Sequence, residues 1–132
     1  MEFKRETNPM IAEWLIPWYI PGDEDQFQIA KGVRDKLTND SDNTFVCIAH
    51  EDGIGHGILI AYVHKKSVWV WQARVRNGFK YSREFWEELI KWAKSKKVKD
   101  VRCGSPSPQV RKLLQRRYKF EERGNELVRQ IA

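Results

Sequence analysis

The chain has 132 residues, of which 41% are hydrophobic and 32% charged, a balance that is typical of one folded domain and excludes wholesale disorder. Its charge is unevenly placed: residues 1–66 hold 7 Lys and Arg against 11 Asp and Glu, a net of −4, whereas residues 67–132 hold 17 against 7, a net of +10. No apolar run approaches the roughly 18 residues that cross a bilayer, and the N-terminus lacks the layout of a signal peptide, so we expect a single cytoplasmic domain over residues 1–132 with no membrane partner.

Two helices are predicted in the first third of the chain. Pro9 suits a first helical turn, so we expect a short helix over Met10–Leu15, with Pro17 breaking the chain after it. Acidic residues at positions 23–25 then favour a second helix start, and apolar residues recur at helical spacing up to about Leu37. The polar residues 38–43 form a loop that is too short to link two domains.

Three strands are predicted next. Thr44–His50 is rich in strand-forming residues, residues 52–55 are its turn, and Gly57–His64 is a nearly unbroken apolar run. An apolar run of this kind is typical of the centre of a sheet. Val68–Val75 follows after a short turn, with apolar residues on both faces. We therefore expect an antiparallel meander with Val68–Val75 central in one mixed sheet.

The second half alternates helices and strands. Arg83–Lys97 places five apolar residues on one helical face, and Asp100–Cys103 is a short strand. Pro108–Tyr118 is a second helix that begins with a cap and a first-turn proline. Phe120–Ile131 is a hairpin that turns at Gly124 and Asn125. This order predicts an α/β (α+β) domain.

That order of elements resembles the GNAT acetyltransferases, and two short segments add to the likeness. Tyr118-Lys119-Phe120-Glu121-Glu122 stands where the family's last helix runs into its closing strands, and Trp92-Ala93-Lys94 resembles the end of its cofactor-side helix. The resemblance covers residues 44–131 well and residues 1–43 only by position. It implies a mixed, mostly antiparallel sheet flanked by helices, acetyl-CoA as cofactor, and transfer of the acyl group to an amine.

The family's cofactor signature is only partly present. The resemblance implies a glycine-rich turn whose backbone N–H groups and following helix bind a pyrophosphate. The aligned segment, residues 77–82, has glycine only at Gly78, and Lys80 and Ser82 occupy positions where small residues are expected. The implied cofactor-binding residues are Ala73, Arg74, Arg76, Gly78, Lys80, Tyr81 and Ser82.

The implied catalytic residues depart further from the family. Backbone groups near Gln72 are expected to hold the thioester carbonyl. The family's usual tyrosine acid aligns with Gln115, and Tyr118, one turn away, is the nearest phenol, although packing explains it better. Glu51 and His50 are candidates for the base because they end a neighbouring strand.

Other functions are left open by the sequence. A GNAT-fold module without catalytic activity would bind a protein partner instead, and it would look similar to some bacteriophage proteins of virion heads, in which case the protein would be virion-associated. The basic half also fits nucleic acid, although a solvated helix face explains its lysines more simply. The spacing of the three histidines predicts no metal site, and Cys47 and Cys103 are expected to be buried free thiols.

Overall fold

The structure, a computed structural model, describes residues 2–20, 25–75, 82–104 and 108–131. These residues form one mixed sheet of seven strands with four α-helices. The strands are β1 (Glu2–Arg5), β2 (Thr44–Glu51), β3 (Ile54–His64), β4 (Ser67–Val75), β5 (Asp100–Cys103), β6 (Glu121–Arg123) and β7 (Glu126–Gln130). The helices are α1 (Pro9–Tyr19), α2 (Gln26–Asp40), α3 (Ser82–Ser95) and α4 (Pro108–Arg117), and a 3₁₀ turn, Ser41–Asn43, leads into β2.

The strands lie in the order β1-β2-β3-β4-β5-β7-β6, so β4 is the middle strand, as the sequence predicted. The first four strands pair antiparallel with their neighbours, and β4 pairs parallel with β5. The connection between these two parallel strands includes α3. Strand β7 pairs antiparallel with β5 on one side and with β6 on the other. The mixed, mostly antiparallel sheet is therefore confirmed.

Helices cover both faces of the sheet because alternate side chains of a strand point to opposite sides. Val46, Ile58 and Ile60 pack with buried residues of α1 and α2, and we call this side the α1–α2 face. Leu59 and Val68 belong to the other side, the α3–α4 face, where α3 contributes its buried aromatic and aliphatic stripe, Phe85, Trp86, Leu89, Ile90, Trp92 and Ala93. The single apolar stripe predicted for α3 is confirmed.

The prediction that the first helix ends before Pro17 is wrong. Helix α1 continues through Pro17 to Tyr19. Asn8 caps its start, since its side-chain Oδ1 accepts hydrogen bonds from the backbone N–H groups of Met10 and Ile11 at 3.0 and 3.2 Å. Packing of Ile16 against the sheet outweighs the one backbone hydrogen bond that a proline removes from the helix.

The structure also corrects the strand list. Strand β1 was not predicted, and it pairs with β2 along its whole length. The expected turn over residues 52–55 is shorter, because β3 already begins at Ile54, opposite Glu51. Asp52 and Gly53 make the turn with left-handed φ angles of 53° and 76°. None of the described helices combines the length and the apolar character needed to cross a membrane.

Candidate functional site

The central strand β4 loses one neighbour halfway along its length. Its parallel pairing with β5 runs from Ser67 opposite Asp100 to Val70 opposite Cys103. Strand β4 then continues to Val75, and no described strand pairs with residues 71–75 on that side. Its other side stays paired with β3. Among the described residues, the sheet therefore opens beside the second half of β4, and the edge of a strand at such an opening can bind an extended ligand.

A β-bulge lies at the point where this opening begins. Ile60 of β3 is opposite Gln72, and the next residue, Ala61, is opposite Val70, which leaves Trp71 as the extra residue. Gln72 points to the α1–α2 face because its partner Ile60 does, and Trp71 packs against the same cluster. A bulge re-aims side chains, and bulges are frequent beside active sites. Two adjacent side chains of β4 thus share one face at the mouth of the opening.

Close contacts fix the ring of Trp71. It meets the ring of Tyr62 edge to face, with 6.0 Å between ring centroids. On its other side lies Gly32 of α2, where an added Cβ atom would be only 2.7 Å from the Cη2 atom of Trp71. Helix α2 can approach the bulge this closely because position 32 has no side chain. The Lys36 ammonium lies 4.1 Å from the ring centroid of Tyr62, which covers this aromatic pair with a cation.

The predicted cofactor residues lie partly within the described structure. Ala73 and Arg74 are exposed on β4, at the opening, and the Arg74 Nε group donates to Gln72 Oε1 at 3.4 Å. Ser82 is the first residue of α3, whose N-terminal end carries the positive end of the helix dipole. The remaining predicted cofactor residues, Arg76, Gly78, Lys80 and Tyr81, lie outside the described residues.

Tyr118 connects the end of α4 to the start of α3. Its hydroxyl group donates a hydrogen bond to the backbone carbonyl of Arg83 at 3.0 Å, and the side chain is buried. Burial, together with the negative charge of Glu87, raises the pKa of the Tyr118 phenol above its ordinary value. Gln115, at the position where the resemblance expects an acid, is exposed. The phenol proton of Tyr118 is therefore engaged in holding the first turn of α3.

The structure places Glu51 away from Gln72. Glu51 is exposed at the end of β2, opposite Ile54, whereas Gln72 is opposite Ile60. Six residues of β3 separate the two positions, which is roughly 20 Å along a strand. His50, the other candidate base, lies beside Glu51, with 3.5 Å between its Nε2 atom and Glu2 Oε2.

Both cysteines are buried free thiols, as predicted. Burial raises the pKa of Cys47 to about 12 and that of Cys103 to about 11. Thiols that stay protonated at neutral pH are poor nucleophiles. In the parts of the chain that the structure describes, no three His, Cys, Asp or Glu side chains are grouped as metal ligands.

Some of the arginines in the basic half, residues 67–132, form ion pairs within the folded chain. The Arg102 guanidinium contacts Asp100 and Glu126, each at 3.3 Å, and lies 5.5 Å from the ring centroid of Trp69. Asp100 is buried, so the paired arginine offsets the cost of burying its carboxylate. Arg111 likewise pairs with Glu122. Because they are paired within the chain, these arginines are not evidence for an anionic partner.

Solved structures resemble this chain over its whole length. A putative acetyltransferase of the GNAT family from Desulfovibrio desulfuricans superposes with a TM-score of 0.77, at 12% identity, over 99% of both chains. The chain has the GNAT fold. A GNAT-family acetyltransferase from Streptococcus pneumoniae gives a TM-score of 0.73 at 13% identity, again over 99% of both chains.

A third solved structure is a PaiA N-acetyltransferase from Thermoplasma acidophilum in complex with coenzyme A. It gives a TM-score of 0.57 at 12% identity, over 97% of both chains. None of these neighbours supports the expected phage origin. Sequence comparison matches no family model and no curated protein.

Sequence reasoning missed the residues that shape the mouth of the opening. Nothing in the run Val68–Val75 indicates which residue is the extra one, because a bulge depends on pairing with β3. Gly32 was detectable only as a glycine within a helical pattern, which often has a packing reason. Tyr62 reads as an ordinary strand residue, and its contact with Trp71 follows only from the register.

Proposed function

We propose that this protein transfers an acyl group from a coenzyme A thioester, with acetyl-CoA as the expected donor, to an amine. The observation that carries the proposal is the opening beside residues 71–75 of β4, next to a bulge and on the strand that leads towards α3. An extended chain such as the pantetheine arm can lie in such an opening and form hydrogen bonds with the edge of the strand. The structural neighbour that contains coenzyme A supports this choice of ligand.

The backbone of β4 is proposed to hold the thioester carbonyl. Near Gln72 and Ala73, backbone N–H groups that face the opening would donate to the carbonyl oxygen as it gains negative charge. The neutral amine would attack the carbonyl carbon, the carbon–sulfur bond would break with the electron pair leaving on the thiolate, and the nitrogen would lose one proton to water as the amide forms. Holding both reactants in the opening makes this reaction effectively intramolecular, which is the main source of its acceleration.

The start of α3 is proposed to bind the pyrophosphate of the cofactor. The dipole of a 14-residue helix favours anions at its N-terminal end. Gly78, Lys80, Tyr81 and Ser82 would contribute to this site. Because Lys80 and Ser82 stand in place of glycines, fewer backbone N–H groups would reach the phosphates, and charges such as those of Arg74 and Arg76 would supply more of the attraction. We therefore expect weak binding that depends strongly on salt.

Proton transfer is the step of the proposed reaction for which the described residues offer the least catalytic help. Tyr118 donates a hydrogen bond to the backbone carbonyl of Arg83, and Gln115 cannot act as an acid. Glu51 is roughly 20 Å from Gln72 along the strand. Water can protonate the departing thiolate, since a free thiol has a pKa of about 8.5. We expect slow turnover, limited by the missing acid and base.

The same observations favour a second candidate, a GNAT-fold module that binds a protein partner without catalysis. Tyr118 has a structural role, and Lys80 stands where the phosphate cradle expects a small residue. A role in a phage virion would be one form of this candidate. The fold hosts both candidates equally well, because function lies in the site.

A thiol-release assay with acetyl-CoA and a panel of amines tests the proposal. We expect slow release of free coenzyme A by the unaltered protein and faster release by Gln115→Tyr, since a positioned acid contributes on the order of 10²-fold. Gln115→Phe is the matched control, because it adds the ring without the hydroxyl group. No release with any amine, before or after Gln115→Tyr, would favour the binding module.

A further inference from the structure

Two loops that carry lysines lie side by side at one end of the sheet. The β3–β4 turn includes Lys65 and Lys66, and the loop from α3 to β5 includes Lys97 and Lys99. The backbone N–H group of Lys99 donates to the carbonyl of Lys66 at 2.8 Å. Lys94 lies in the last turn of α3, three residues before Lys97. We call these five exposed side chains the lysine patch: Lys65, Lys66, Lys94, Lys97 and Lys99.

The charge of the lysine patch is not neutralised within the part of the chain that the structure describes. There, none of its five ammonium groups forms an ion pair, whereas Arg102 and Arg111 of the same half are paired. Asp100, which follows the patch in sequence, is buried and pairs with Arg102. Asp40 and Asp42, which precede β2, lie on the far side of β3 and bound the patch there. Such a concentration of unpaired positive charge attracts polyanions.

The lysine patch lies at the opposite end of β4 from the opening. Its two loops meet beside Ser67, the first residue of β4, whereas the opening runs along residues 71–75. Helix α3 begins at Ser82 and carries Lys94 in its last turn, so its 14 residues separate the proposed cofactor site from the patch by roughly 20 Å. A ligand on the lysine patch therefore leaves the opening accessible.

The chemistry of the lysine patch favours the phosphates of a duplex nucleic acid as its ligand. Lysine binds phosphate as a point charge, whereas protein interfaces are depleted in lysine and enriched in arginine. The large apolar side chains that are exposed in the described structure lie elsewhere, on α1, on α2 and at the start of β3. The patch therefore offers no aromatic ring on which unpaired bases could stack and no apolar side chain that could enter a membrane. A duplex requires neither, because its phosphates are on the outside.

We propose that the lysine patch binds duplex nucleic acid through its phosphates, without preference for sequence. Each lysine that contacts a phosphate releases a counterion, so log K falls with log salt by about 0.9 per contact. Five contacts give a slope of about −4. Contacts to phosphates carry no sequence information, so duplexes of different sequence should bind equally well.

Fluorescence anisotropy with labelled DNA and RNA duplexes of about 20 base pairs tests this proposal over a range of salt concentrations. The test variant combines Lys94→Gln, which keeps a good helix former in α3, with Lys97→Asn. Asparagine tolerates the left-handed φ of 56° at position 97, so the variant should fold. Losing two phosphate contacts should raise the Kd at least ~10-fold at about 0.1 M salt and reduce the slope by about 2.

A matched control combines Lys31→Gln with Lys119→Asn. It removes the same two charges from outside the lysine patch, one from α2 and one from a left-handed position with a φ of 60°. The control should change the Kd by no more than ~3-fold at about 0.1 M salt, where charges further away than about 10 Å are largely screened. Equal weakening by the two variants would overturn the proposal, because binding would then follow net charge alone.

Two further results would overturn the proposal. One is the absence of binding to either duplex at ~100 µM protein and about 50 mM salt. The other is binding to phosphatidylserine vesicles, lost in the test variant, by a protein that binds neither duplex, which would replace nucleic acid with an anionic membrane. If circular dichroism shows that the test variant does not fold, Lys66→Asn, at a left-handed φ of 65°, is the second variant. It should reduce the salt slope by about 1, and an unchanged slope would contradict the proposal.

Discussion

Gly32 lies under the indole ring of Trp71, and replacing it with alanine tests how closely α2 holds the bulge of β4. In an ordinary helix interior, Gly→Ala stabilises a protein by about 1 kcal/mol. Here the new Cβ atom would lie 2.7 Å from the Cη2 atom of Trp71, so the ring or the helix must move. Overpacking of this kind costs about 1–3 kcal/mol. We therefore expect Gly32→Ala to destabilise the protein by up to ~2 kcal/mol instead of stabilising it.

The expected cause can be isolated with a second substitution. Trp71→Phe removes the outer ring atoms that contact position 32, so Gly32→Ala should regain its stabilising effect of about 1 kcal/mol in that background. The two substitutions should therefore couple by about 1–3 kcal/mol. Urea denaturation of the wild type, both single variants and the double variant measures this coupling.

The reasoning is refuted if Gly32→Ala stabilises the wild-type protein by about 1 kcal/mol and shows no coupling to Trp71→Phe. That result would mean that α2 does not touch the bulge. If the proposed function is right, the same Gly32→Ala variant should also acylate amines more slowly, because the displaced Trp71 shifts Gln72 at the mouth of the opening.

Three further outcomes are expected. Trp86→Ala should cost about 3–5 kcal/mol in urea denaturation, because Trp86 is buried in the core against Phe120; a loss below about 1 kcal/mol would contradict its core position. Tyr118→Phe should cost about 1 kcal/mol through the lost hydrogen bond to Arg83 and leave any acyl transfer at the wild-type rate, whereas loss of activity would make Tyr118 catalytic. Burial raises the pKa of folded Cys47 to about 12, so the buried thiol contributes its full stability below about pH 9. Above that pH the free energy of unfolding should fall by up to about 1.4 kcal/mol per pH unit, because the unfolded chain loses the thiol proton first. Cys47→Ala should reduce this alkaline loss of stability, measured by urea denaturation at several pH values.

Elements that depend on a local pattern of residues could be predicted from the sequence. The apolar stripe of α3 and the two-faced apolar run of β4 predicted the central strand and the helix that packs on it. Patterns of this kind reflect burial directly, since apolar residues recur with the residue repeat of the helix or strand that buries them. The closing hairpin was also predicted, because Gly124 and Asn125 form a recognisable turn.

Features that depend on pairing between distant parts of the chain could not be predicted from the sequence. Strand β1 has little apolar character of its own and exists because β2 offers it an edge. Pro17 predicted a helix end, but packing of α1 on the sheet outweighs that local preference. The bulge at Trp71 depends on how β3 and β4 pair, and a shift of register cannot be read from one strand. Glu51 was chosen as a base because it ends a strand, and the register then placed it far from Gln72.

Binding of acetyl-CoA tests the central claim most directly. Thermal unfolding should be followed with and without the ligand at about 0.1 M and about 1 M salt, where the screening length is about 10 and 3 Å. Saturation 100-fold above the dissociation constant adds about 2.7 kcal/mol of stability, and each kcal/mol raises the Tm of a chain of this size by roughly 4 °C. We predict a rise in Tm at low salt that is larger than the rise with inorganic pyrophosphate and that shrinks at high salt. An unchanged Tm with millimolar acetyl-CoA at low salt, or a rise no larger than that with pyrophosphate, would contradict the proposed cofactor site.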